Sequence, residues 1–194
     1  MLKLRLLTCL LAVSFIAVSG ISAQAFVPQD QQDKKQDDKK QDDKKQDDKK
    51  DEEAERRAKA NALVGEGMQL TQEQKWAEAA AKFTEAAELD AENGQAWFYK
   101  GYTLHMNGDL DEALKAHTKA CEFERFKRIA LYNVACVHAL QKDKEKALEF
   151  LTKSADAGFR SPTPLTDDSD LEILFEDEKF KELAKRIEGD GGAR

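Results

Sequence analysis

The sequence predicts an all-α chain built from repeated helical hairpins, and three observations carry that prediction. Small residues return at a fixed interval: Gly67, Gly101 and Ala135 stand 34 residues apart, and Ala79, Ala113 and Ala147, then Ala86, Ala120 and Ser154, keep the same spacing. Within each interval residues recur at helical spacing, as Ala113, His117, Ala120 and Cys121 do on one face. Turn signals separate the helices, most plainly Asn107-Gly108-Asp109, because Gly and Asn tolerate the left-handed backbone that ends a helix. A bulky residue beside a Gly or Ala lets two helices approach closely.

The chain begins with a targeting segment, residues 1–25. Lys3 and Arg5 precede an apolar run from Leu6 to Val18, and Ala23-Gln24-Ala25 is a small-x-small cleavage signal that makes Phe26 the first mature residue. The competing reading is an uncleaved anchor, since Leu6 to Ile21 approaches spanning length; membrane attachment is expected only in that form. Residues 26–51 read as a charged low-complexity spacer. QDDKK occurs at Gln36, Gln41 and Gln46, with QQDKK at Gln31. A period of five fits neither helix nor strand. From Gln29 to Lys50 there is no apolar residue to offset the entropy of ordering. Opposite charges at i,i+3 (Asp37 with Lys40, Lys39 with Asp42) give only weak helical support.

From Glu52 the composition turns helix-forming, and one long helix is expected to about Gln72. Lys75-Trp76-Ala77 opens a second helix with a buried stripe at Ala79, Phe83, Ala86 and Ala87. The next pair runs from Ala96 to Met106 and from Leu110 to Phe123. The third begins near Ile129, with Leu131, Val134, Ala135 and His138 inward, turns at Lys142-Asp143, and continues with Ala147, Leu148 and Leu151. Gly158 ends it and Ser161-Pro162-Thr163-Pro164 blocks continuation. Residues 162–194 then read as a capping helix and tail: Asp167 to Asp170 form an acidic helix start, and Phe180, Leu183, Ala184 and Ile187 recur at helical spacing.

The 34-residue helix–turn–helix period resembles the tetratricopeptide repeat. Trp97, Gly101, Ala113 and Ala120 match that family's Trp, Gly and two Ala positions in the middle copy, and Phe83 fills the large position of the second helix in the first. Leu63 and Leu131 replace the Trp, Ala135 replaces the Gly, and Ala91 and Arg125 stand where a Pro is usual. The resemblance places three repeats at 60–93, 94–127 and 128–161, within 52–161. It implies a right-handed α-solenoid of three helical hairpins, sealed by the C-terminal helix. It also implies a concave groove lined by the first helix of each hairpin, here through Val64, Met68, Phe98, Tyr102, His105, Tyr132 and Cys136. Relatives that clamp a terminal carboxylate use Lys and Asn where Val64 and Met68 stand, so that activity is not carried over. Two occupants compete for the aromatic strip Phe98, Tyr102 and Tyr132: a partner segment, or this chain's own tail or pre-repeat helix.

Composition narrows the function. A net charge of −7, with no basic cluster beyond the leader, argues against nucleic acid. No G-x-S-x-G, phosphate-binding glycine loop or dinucleotide turn is present, so no catalytic set and no cofactor are expected. Cys9 leaves with the leader, and Cys121 and Cys136 are expected as buried free thiols, with a disulfide as the alternative an exported compartment permits. His117, Cys121, Cys136 and His138 form a thinkable zinc set without recognised spacing; they read as core residues, and no metal site is assigned. The expected function is a non-enzymatic module that binds a protein or peptide partner in a periplasmic or secreted setting. The alternatives are a metal-dependent or enzyme-accessory protein and a self-associating structural repeat.

Overall fold

The structure, a computed structural model, describes residues 29–188, with side chains from residue 44 onward. The leader and its cleavage site, 1–25, lie outside the described residues. The chain divides into two units, residues 1–46 and 47–194.

Helix α1 is Gln29–Gln72. The sequence reading expected a spacer without regular structure over 26–51, whereas the backbone there is helical from Gln29. Gln29 to Lys50 holds no Gly or Pro to interrupt a helix propagating from the Glu52–Ala58 helix formers. Its opposite charges recur one turn apart, as in the Lys50–Asp47 ion pair at 3.7 Å. Residues 44–59 are all exposed.

In the second unit α1 is followed by α2 (Trp76–Leu89), α3 (Gly94–Asn107), α4 (Leu110–Ala120), α5 (Glu124–Leu140) and α6 (Lys144–Asp156). Two 3-10 turns come next, Leu165–Asp167 and Ser169–Leu174, and then α7 (Glu178–Glu188). Consecutive helices pack as hairpins, giving the expected all-α solenoid; the described residues hold no strand. No described helix is long and apolar enough to cross a membrane.

The repeat period has a packing cause. Gly67 lies against the Phe83 ring, where an added Cβ would sit 2.8 Å from Cζ. Gly101 lies against His117, where it would sit 2.5 Å from Nδ1. Ala135 and Leu151 occupy the same places in the third hairpin and share one core cluster. Phe83, His117 and Leu151 are all fully buried. A small residue on the first helix of each hairpin thus seats a large one on the second. Ser154, at a position held by Ala in the other copies, is buried with its hydroxyl donating to the Arg128 carbonyl at 2.7 Å.

The turns repeat too. Gln74, Gly108 and Lys142 all adopt left-handed backbone, with φ of 57°, 87° and 65°. At the start of α3 the Asn93 side chain accepts from the Ala96 amide at 3.1 Å, and Asp143 does the same for Lys146 at the start of α6.

The C-terminal part corrects one expectation. Asp167 to Asp170 do not open an α-helix; they lie within and between the 3-10 turns, and the α-helix starts only at Glu178. The Asp168 side chain accepts from the Asp170 amide at 3.1 Å, and the Asp177 carboxylate caps α7 through the Lys179 amide at 2.8 Å. Leu165, Leu171, Leu174, Phe180 and Ile187 are buried with Ala135, Cys136 and Leu151 in one cluster. Residues 165–174 therefore form a strap against α5, and α7 closes the cluster over α6.

Candidate functional site

Six of the seven sequence-predicted groove residues lie on α3, α5 and the end of α1 in two groups; the remaining one, Val64, is 5% exposed in the first hairpin's core with Leu63 and Phe83. A side chain so enclosed offers a partner almost no surface.

The first group is Met68, Phe98 and Tyr102, all partly exposed. The Gln95 amide donates to Met68 Sδ at 3.5 Å. The Tyr102 ring meets Trp76 edge-on at 6.1 Å. Phe98 stacks on Phe126 at 5.1 Å and meets Tyr99 edge-on at 5.3 Å. Tyr99 in turn stacks on the buried Phe83 at 5.4 Å. Rings fixed from beneath have little rotamer freedom left to lose on binding, which favours association. Phe126 was missed in the sequence; it precedes the helical stripe of the third copy and shows no period of its own.

The second group is His105, Tyr132 and Cys136, and here the strap is seated. The Tyr132 hydroxyl donates to Asp168 Oδ2, and the Cys136 thiol donates to the same oxygen at 3.8 Å. His105 Nε2 lies 3.1 Å from Asp170 Oδ2. Tyr132 also stacks on Phe159 at 4.6 Å. Of the two occupants weighed for the aromatic strip, the chain's own tail takes the Tyr132 end. Asp168 and Asp170 were legible only as an acidic run, because their partners lie 32 residues or more away in sequence.

Burial, followed by the neighbouring Cys136 and the hydrogen bond to Asp168, raises the Tyr132 pKa far above its ordinary value. Burial, then the Asp168 and Asp170 carboxylates, raises the Cys136 thiol well above its own. Both groups therefore remain protonated donors at neutral pH.

The four residues of the thinkable zinc set are not gathered. His117 packs against Gly101 and edge-on to His105, His138 stacks on Phe150 at 5.4 Å, and Cys121 and Cys136 are free thiols. Among the described residues, the donors close enough for one ion are instead Cys136, Asp168 and Asp170, within 4.8 Å of one another. In that set the Asp168 carboxylate already accepts from the Tyr132 hydroxyl and the Cys136 thiol.

His117 is fully buried with neither ring nitrogen hydrogen-bonded. Burial, and secondarily His105, depresses its pKa to about 3, so it is neutral at pH 7. This is a packing residue standing where the other hairpins place Phe83 and Leu151.

Residues 64–126 match the family model for the tetratricopeptide repeat. The chain is similar to Photosystem I assembly protein Ycf3 of Rippkaea orientalis, 27% identical over 109 residues. That alignment covers 54% of this chain and 61% of the relative's length.

Proposed function

We propose that this chain, a tetratricopeptide-repeat protein, is a non-catalytic interaction or assembly adaptor working in an exported compartment. The observation that carries this reading is the partly exposed ring cluster around Phe98 and Tyr102, held rigid from beneath while the strap fills the Tyr132 end of the same face. A partner segment lies over Met68, Phe98 and Tyr102, with His105 at its boundary. Val64 supports that surface from within the first hairpin's core, while Tyr132 and Cys136 are engaged by the strap.

The similarity to a protein named for assembly is in keeping with a role that brings other chains together. The positive leader and its Ala-Gln-Ala signal support export, with Phe26 as the mature N-terminus; terminal sequencing of the native protein tests this, and an intact Met1 contradicts it.

The test of the surface is capture of partners from the native envelope or medium by wild type and by a Phe98→Ala, Tyr102→Ala variant. Buried anchor aromatics at an interface typically contribute about 2 kcal/mol or more each, so loss of one ring should weaken the partner about thirtyfold and the double variant should weaken it by more than that. A variant that stays folded and keeps every partner sinks the proposal.

A further inference from the structure

The strap does more than plug the end of a groove: its polar tip is recognised there. His105, Tyr132 and Cys136 sit on α3 and α5 and meet two carboxylates of one short segment: Tyr132 and Cys136 donate to Asp168, and His105 Nε2 stands 3.1 Å from Asp170 Oδ2. We propose that these three side chains form a carboxylate-receiving site, filled at rest by Asp168 and Asp170, and that the displacing partner segment is acidic, with two carboxylates two residues apart. This rests on the reading of the surface around Phe98 and Tyr102 as a partner site and adds the chemistry of the ligand.

The site is matched to anions. Tyr132 and Cys136 keep their protons at neutral pH for the reasons given above, so both can only donate to a carboxylate. Asp168 also accepts from the Asp170 amide, which fixes the spacing of the two carboxylates.

The strap is divided into anchors and a tip. Leu165, Leu171 and Leu174 are at most 1% exposed within the C-terminal core cluster. Between the first two, Thr166, Asp167 and Ser169 are exposed, and the Asp170 side chain is 32% exposed. The contacts that tie the tip to the face are those of Asp168 and Asp170. A competing acidic segment can exchange with them one for one while the leucine anchors stay in place.

The probe is a capped peptide with the chain's own tip sequence, Asp-Asp-Ser-Asp-Leu-Glu, titrated into the full chain and read at the His105 and Tyr132 NMR signals. An Asp168→Asn, Asp170→Asn variant should bind it about tenfold more tightly than wild type, since charge-assisted hydrogen bonds outweigh neutral ones. The gain should vanish when Tyr132→Phe is added, and a peptide with its second and third aspartates, the counterparts of Asp168 and Asp170, changed to Asn should not show it. Equal binding by wild type and a folded double variant overturns the proposal, as does equal binding of the Asn peptide. If the double variant fails to fold, Asp170→Asn alone is read at His105, and a wild-type affinity there overturns it. Loss of partner by the Phe98→Ala, Tyr102→Ala variant with the peptide gain intact supports both readings. A missing gain with partner capture still dependent on Phe98 and Tyr102 removes this site alone.

Discussion

His117→Phe should stabilise the protein and remove most of its sensitivity to mild acid. The side chain is fully buried against Gly101, and both ring nitrogens lack partners. A buried polar group without a hydrogen bond costs about 1–3 kcal/mol, so replacing the ring by an apolar one recovers about that much. Phe is the suited choice because Phe83 already packs against Gly67 in the first hairpin with the same glycine-to-ring geometry. About 2 kcal/mol raises Tm by roughly 4–8 °C in a unit of this size. The pH dependence has a definite sign. The folded pKa, about 3, lies below the ordinary 6.5, so the unfolded chain binds the proton first. The stability of the neutral ring is present in full above pH 6.5 and is lost as pH falls toward 3, with a slope of up to about 1.4 kcal/mol per pH unit. Chemical denaturation of wild type and variant at pH 7, 6, 5 and 4 reads both effects. Lower stability of the variant at pH 7, or an unchanged difference between the two across that range, refutes the reasoning.

Three further outcomes follow from the same packing. Gly101→Ala should cost about 2 kcal/mol or more in denaturant titration, because its Cβ would fall 2.5 Å from His117 Nδ1 and the buried ring has no free end to yield; a neutral result contradicts the close approach. Lys142→Gly should stabilise by up to about 1 kcal/mol in Tm measurements, since Lys142 holds φ of 65° where the middle hairpin places Gly108; destabilisation would show that the lysine side chain contributes more than its backbone strain costs. Backbone amides of 47–59 should exchange far faster than those of 130–139, as the first stretch is exposed throughout and the second is largely buried; equal protection would mean that something buries that helix in solution.

The hairpins were legible because their packing rule is written in residue size. Gly67, Gly101 and Ala135 each face a large buried side chain on the following helix, and no other property of those positions varies so little. The Gly108 turn was legible as a glycine, while Gln74 adopts the same left-handed backbone without advertising it. The helix over Gln29–Asp51 was not foreseen, since a five-residue repeat of polar residues shows no apolar face; among its described side chains the Lys50–Asp47 pair lies one turn apart. The strap was hidden for a different reason. Its 3-10 turns have no long period, and its leucines are buried by a core cluster assembled from α5, α6 and α7. Phe98 and Tyr102 were put forward by position in the repeat, and both lie partly exposed; that Tyr132 is engaged by Asp168 depends on a fold-back that no local pattern encodes.

The central claim is that a partner is held over Met68 of α1 and the Phe98 and Tyr102 rings of α3, beside the strap. A photo-crosslinking residue placed at Gln95, next to Met68 and partly exposed, tests this in the native compartment. The same residue at Lys115, exposed on α4, serves as the comparison. The account predicts one discrete crosslinked product from position 95 that disappears in the Phe98→Ala, Tyr102→Ala background, and none from position 115. A product from position 115 alone, or one from position 95 that survives the two alanines, contradicts it.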